Sequence, residues 1–392
     1  MIAALAMLGP FSIDAYLPAF PEIGRTFDVP AFAIQQTLSV YLLAYAAMML
    51  WHGALSDALG RRPVVIANLI VFGVATLGCM IAGNIQSLLL FRALQGVSAG
   101  GPLVVGRAII RDRFHGPEAQ RLMSQVTLIF GLAPAIAPVI GGILLNVLGW
   151  RSIFGLLLAL TVLTLVWSVR ALPETLPAAA RQPLHPRALW VNYRAVVARA
   201  DFLLLAFIPA LNFAGFFLYI ASAPTYLVDL LGVSTYGFAW LFVPMIGGIM
   251  TGAVISGRVA GRLSARRTIE LGYALAFGGV ALNVLVVAFV PPSVPWHVMP
   301  IFVFSIGAAV IMPSVTLLLL DLFPTMRGLA SSLQGFVHFS LSAVTAGTIA
   351  PLLFHSLWGL AAGTAAFTVA SFGLWLVYSR RQQATEEGNP SR

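Results

Sequence analysis

The sequence predicts an all-α polytopic membrane protein of twelve transmembrane helices in two pseudo-symmetric six-helix bundles. Three observations predict it. Of 392 residues, 59% are hydrophobic and 9% charged, with a mean hydropathy of +0.94. That is far more apolar surface than a soluble core can bury, so lipid is the solvent. Apolar runs recur at about the 20-residue length that crosses a hydrocarbon core of roughly 30 Å. A loop motif after the second run also returns after the eighth, dividing the chain six plus six.

The runs cover residues 2–21, 33–53, 64–83, 87–110, 122–146, 151–172, 201–222, 236–256, 268–290, 298–320, 329–354 and 358–379. The first has no basic n-region and no small-residue cleavage site before Pro18 and Pro21, so it is expected to stay in the mature protein rather than leave as a secretory signal. The longest polar break, Pro173–Ala200, carries prolines and arginines without apolar periodicity and reads as a linker. The expected units are therefore a first bundle over 1–172, a cytoplasmic linker over 173–200, a second bundle over 201–380 and a cytoplasmic tail over 381–392.

Arginine sets the orientation, because all 22 basic residues are Arg. Alternate loops carry Arg61 and Arg62; Arg107, Arg111, Arg113 and Arg121; Arg170, Arg181, Arg187, Arg194 and Arg199; Arg258, Arg262, Arg266 and Arg267; Arg327; and the tail's Arg380, Arg381 and Arg392. In loops of the opposite face only Arg25 and Arg151 occur, so the positive-inside bias predicts both termini in the cytoplasm. The same scatter disfavours a nucleic-acid surface despite a net charge of +9 and a pI near 10.4. The single Cys79, in an apolar run, rules out an internal disulfide and a thiolate metal site. No metal cluster is legible, and no cofactor is expected.

Two charges lie where lipid should be. Asp14 sits deep in Met1–Pro21, an otherwise uncharged run, and ionisable groups at such depth are costly and usually functional. It is the leading candidate to carry a proton. Arg92 lies inside span four and cannot shed its proton, so it needs an anion, a wet cavity or carbonyls. Counting about 1.5 Å per residue puts the two roughly 5 Å apart in height, within reach of an arginine stem plus one water. The second half is poor in such groups. Asp229 belongs to an outer loop, Glu270 and Asp321 lie near inner ends, and His338 is its deep titratable residue, read as a packed histidine.

The repeat pairs Gly53-Ala-Leu-Ser-Asp57-Ala-Leu-Gly60-Arg61-Arg62-Pro63 with Gly257-Arg-Val-Ala-Gly261-Arg-Leu-Ser-Ala-Arg266-Arg267. A weaker echo pairs Asp112…Arg121-Leu-Met-Ser124 with Asp321…Arg327-Gly-Leu-Ala-Ser331. Duplicated halves of this kind usually hold their substrate site between them near the midplane. The first loop resembles the signature loop of the major facilitator superfamily. Ser12-Ile-Asp14-Ala-Tyr16-Leu-Pro18-Ala-Phe-Pro21, Arg92-Ala-Leu-Gln95-Gly96 and Ala133-Pro134-Ala-Ile-Ala-Pro138-Val-Ile-Gly141-Gly142 further resemble the bicyclomycin/chloramphenicol-resistance branch of drug:proton antiporters.

The resemblance implies a major facilitator fold and a bacterial inner-membrane carrier. It gives Gly53, Asp57, Gly60, Arg61 and Arg62, with Asp112 as partner, the role of a conformational gate that stabilises the outward-facing state. Chemically, an acid within about one helical turn of two fork-donor guanidiniums can form a charge clasp. It also makes Gly131, Pro134, Pro138, Gly141 and Gly142 an antiporter helix that seals against proton leak, although Ala137 stands where the pattern has glycine. Residues alone read these prolines and glycines as permitting kinks and close packing.

Tyr16, Tyr41, Tyr45, Phe213, Phe216 and Trp240, with Gln95, are the candidates to line a substrate cavity for varied aromatic or cationic molecules. Without lysine no GxxxxGK[ST] loop exists, so coupling must come from an ion gradient. The reading is a monomeric proton-coupled antiporter exporting small hydrophobic or cationic molecules across the bilayer. A proton-coupled importer of a small metabolite is the alternative, and a membrane-embedded enzyme the remote one, since no nucleophile–base constellation or carboxylate pair is found.

Overall fold

The computed structural model describes residues 1–114 and 116–387, and its regular elements are all helical. Residues 388–392, with Arg392 of the expected tail, lie outside the described residues. Eleven segments among the described residues are long and apolar enough to cross a membrane. The first expected span is not one of them, because it is broken. Helix α1 (Ile2–Asp14) ends at the carboxylate, a 3-10 turn follows at Leu17–Ala19, and α2 (Phe20–Phe27) resumes the run. Pro18 and Pro21 sit at the starts of the two later pieces, where their missing N–H groups end the α-helical ladder.

Helices α3 (Ala31–Leu59) and α4 (Arg61–Met80) follow as expected. The fourth span, read as continuous, divides at Gly100 into α5 (Ile85–Ala99) and α6 (Gly101–Arg113), with Pro102 opening the second piece. Helix α7 (Gly116–Leu148) keeps Pro134 and Pro138 inside it, and α8 (Arg151–Ala171) closes the first six spans. The linker is not featureless. It contains α9 (Pro186–Val197), whose Val196 is buried in a cluster with Phe202 and Phe323. The sequence hid this helix because only Leu189, Tyr193 and Val196 carry its inward stripe.

The second six spans comprise α10 (Ala200–Ala221), α11 (Ala239–Val259), α12 (Ala265–Phe289), α13 (Met299–Asp321), α14 (Arg327–Val344) with α15 (Ala350–Leu353), and α16 (Leu357–Glu387). Between α14 and α15 the chain takes a π-helical turn, Thr345–Ile349. Pro351 has no N–H to offer the Gly347 carbonyl four residues back, and Gln36 Nε2 of α3 donates to it instead at 2.8 Å.

Within the first six spans α3 packs on α5, α4 on α5 and α8, and α1 on α7; within the second, α13 packs on α11 and α12, and α10 on α16. Across the middle, α3 lies along α14 and α7 meets α11. Helix association in lipid gains little from apolar burial, so polar contacts and close backbones must supply specificity. The described side-chain hydrogen bonds that join the two sets are Gln35 to the Ala221 carbonyl, Gln36 to that of Gly347 and Ser39 to that of Ala343, each 2.8 Å long. All three leave the Ala31 half of α3, at the end of the bundle opposite the termini.

Candidate functional site

The break in the first span places Asp14 at the last residue of α1, 4% exposed. Helix α7 crosses at that point. A side chain at Gly141 would collide with the Ala15 backbone, so only glycine lets α7 approach the residue beside the carboxylate this closely. Of the other antiporter-helix candidates, Pro134 and Pro138 lie within α7, Gly142 is buried and its carbonyl accepts from Asn146 at 2.7 Å, and Gly131 faces open space.

Arg92 is 0% exposed. One terminal nitrogen donates to the Ser12 carbonyl at 3.2 Å and to Gln95 Oε1 at 2.8 Å. Its guanidinium stands 4.7 Å from the Tyr16 ring centre and 4.3 Å from that of Tyr41. Two acceptors and two desolvated ring faces, each face contributing about 2 kcal/mol, offset much of the cost of burying this cation. Its Nε and second terminal nitrogen have no hydrogen-bond partner. Among the described interactions none joins Arg92 to Asp14, so the arginine the sequence set opposite the carboxylate is held two residues away, by the Ser12 carbonyl.

The tyrosines expected to line a cavity are themselves tied down. Tyr16 shares a hydrogen with Thr37 at 2.9 Å, Tyr41 donates to the Gly9 carbonyl at 3.2 Å and accepts from Ser12 at 2.9 Å, and Gln95 donates to Thr76 at 2.8 Å. Tyr16, Tyr41 and Gln95 form a clamp around Arg92. From Tyr41 the rings continue across the middle of the molecule. Tyr41 stacks on Tyr45 at 6.3 Å, Tyr45 meets Phe339 of α14 at 4.6 Å, and His338 lies 4.1 Å from Phe213 of α10, which contacts Phe216 at 4.5 Å. Trp240, at 47% exposure, stands apart from this ladder, sharing no described ring contact with it.

The second constellation lies at the terminus-bearing end. Gly60 has φ +104°, a turn that puts Arg61 at the start of α4 back against the end of α3. The Arg61 side chain, 9% exposed, bonds Asp57, reaches Asp112 Oδ2 through Nε at 3.0 Å and donates to Ser56 Oγ at 2.7 Å. Arg62 instead donates to the Val169 carbonyl at 2.8 Å, and nothing lies close to the Cβ position of Gly53.

Glu174 and Thr175 complete the clasp, and sequence reasoning missed both. Thr175 Oγ1 donates to Asp112 Oδ2 at 2.9 Å, and Glu174 accepts from the backbone N–H groups of Arg61 at 3.0 Å and Arg62 at 3.3 Å, capping α4. Burial pushes the Glu174 carboxyl up, but the N–H groups of Leu176, Arg61, Arg62 and Thr175 outweigh it and hold it below the usual range. An acid and a hydroxyl in an arginine-rich loop were the available signal. Ser12, Ser56 and Phe339 gave no such warning, since each matters only through its position.

The sequence profile described as Major Facilitator Superfamily matches residues 2–347. The chain is 30% identical over 88% of its length, and 86% of the relative's, to a Bacillus subtilis (strain 168) protein named uncharacterized MFS-type transporter YdgK. It is 27% identical over 90% of its length, and 88% of the relative's, to the bicyclomycin resistance protein homolog of Haemophilus influenzae, in line with the branch its motifs resemble. Among solved structures it superposes with a TM-score of 0.75 on a bacterial homolog to the human lysosomal transporter Spinster, inward-facing and occupied, at 17% identity with 97% of this chain and 95% of that one covered. That likeness speaks for the fold alone. The sequence match, the helical architecture and the relatives agree that this chain is a membrane transporter, not an enzyme, and belongs to the major facilitator superfamily.

Proposed function

We propose that the protein is a proton-coupled antiporter that exports small hydrophobic or cationic organic molecules by alternating access. Residues 1–172 and 201–380 act in this reading as two bundles that rock about a site between them, in a bacterial inner membrane with both termini in the cytoplasm. The observation that carries it is Asp14, a carboxylate ending α1 with no described ion pair, beside a buried arginine whose own charge is met by rings and carbonyls. A lone carboxyl so placed can take a proton or face a substrate, but not both. Each therefore drives the other off as access alternates.

Three features support the rest of the reading. The names of relatives, among them bicyclomycin resistance protein homolog and chloramphenicol resistance protein, favour drug-like substrates. Hydrogen bonds between the bundles gather at the end opposite the termini, as expected of a carrier sealed outside. The Arg61 clasp lies wholly within the first bundle and its linker, as expected if it is free to form new contacts when the inner side closes.

Everted membrane vesicles test the direction. With respiration pumping protons into the lumen, a fluorescent lipophilic cation or labelled chloramphenicol is expected to accumulate as protons leave, and nigericin is expected to release it. Carrier-dependent accumulation of labelled chloramphenicol in right-side-out vesicles alone would make the protein an importer instead.

A further inference from the structure

Helix α9 has two faces. Leu189, Tyr193 and Val196 turn inward at helical spacing; Val196 is buried, and Tyr193 Oη donates to the Leu50 carbonyl of α3 at 2.6 Å. Roughly 100° round the helix runs a second stripe, Arg187, Trp190, Arg194 and Val197, also at helical spacing and exposed. Trp190 is 69% exposed, and none of the described ion pairs engages Arg187 or Arg194. An indole left open on a soluble surface is costly; between two arginines at a lipid boundary it is in its preferred setting.

The height of α9 follows from its neighbours. It ends three residues before Ala200, where the membrane-crossing α10 begins. Its tyrosine meets Leu50, nine residues above the end of α3. That helix, 29 residues long, exceeds a roughly 30 Å core by about 13 Å, so Leu50 falls near the core boundary.

We infer that α9 lies in the membrane surface on the terminus-bearing side, with Trp190 and Val197 inserted among the lipids and Arg187 and Arg194 binding the phosphates of anionic phospholipids. Arginine suits this task because its stem follows the apolar face while its planar fork pairs with phosphate oxygens. The same helix rests on α10 and α14 and hydrogen-bonds α3, so it touches both sets of spans where they meet. Anionic lipid held there favours the arrangement in which Tyr193 and Leu50 are bonded.

The test uses the full-length protein in nanodiscs containing lipids brominated on the acyl chains. The Trp190 share of the emission is taken as the difference between wild type and Trp190→Phe. In phosphatidylglycerol that share is expected to be quenched. In phosphatidylcholine, or in the Arg187→Gln/Arg194→Gln double variant, the ratio of inserted to free helix is expected to fall roughly thirtyfold, as two unmet surface cations imply. No quenching of the Trp190 share in any lipid would overturn insertion. Equal quenching in both lipids and in the double variant would overturn recognition of anionic headgroups. Quenching protection that grows with the protein-to-lipid ratio would assign the stripe to a second copy of the chain and overturn the inference as well.

Discussion

The loop after the second span and its repeat after the eighth start from similar sequence and end in different chemistry. In the first, Arg61 is 9% exposed and shared between Asp57 and Asp112. In the second, the Asp57 position is Gly261, and the ion pair that forms is Arg266 with Glu270 at 2.9 Å, about half exposed on both sides (50% and 48%). The centres differ in the same sense. The first half holds Asp14 and a clamped Arg92, whereas the second offers His338 against Phe213. Duplication has kept the topology of both halves while concentrating charge chemistry in one.

That contrast can be broken at several points. Arg92→Lys keeps the charge but cannot cover two rings and two acceptors at once, so the initial rate of uphill transport in vesicles is expected to drop roughly tenfold or more. An unchanged rate would show that charge alone suffices there. Arg61→Gln leaves two carboxylates unneutralised and is expected to cost about 1–3 kcal/mol, read as a lower melting temperature in detergent. Melting equal to wild type would remove the clasp from the account.

Glu174 gives the contrast a pH signature. Its carboxyl is held below its ordinary value of 4.5, so its contribution is complete above that value and is lost as pH falls through the lower, folded value. Wild type is therefore expected to lose melting temperature on acidification below about pH 4.5 more steeply than Glu174→Gln, which at neutral pH gives up about 1 kcal/mol. Parallel acid profiles would show that the N–H groups around Glu174 do not favour its charged form. Smallest of all, Glu270→Gln is expected to leave melting unchanged, since exposed pairs contribute about 0–1 kcal/mol. A drop matching that of Arg61→Gln would erase the distinction between the two loops.

Architecture was legible because lipid imposes a length on every apolar run, and the Arg61–Asp57 contact was legible because both residues lie on adjoining helix ends. The breaks were less so. Pro18, Pro21, Pro102 and Pro351 were visible, but proline also sits inside α7 without ending it, so its effect depends on what neighbouring helices can satisfy. The partners of Arg92 were hidden for a related reason. Ser12 contributes a backbone carbonyl, which every residue has, and Tyr16 and Tyr41 contribute ring faces that composition cannot tell from lipid-facing ones. Helix α9 needed only three inward residues, too few to stand out between prolines.

Proton release from purified protein in weakly buffered detergent tests the central claim most directly. Adding a lipophilic cation such as tetraphenylphosphonium to wild type is expected to release protons in proportion to binding, and Asp14→Asn is expected to bind without releasing any. Equal release from the Asn variant would contradict the assignment of Asp14 as the group where proton and substrate exclude each other.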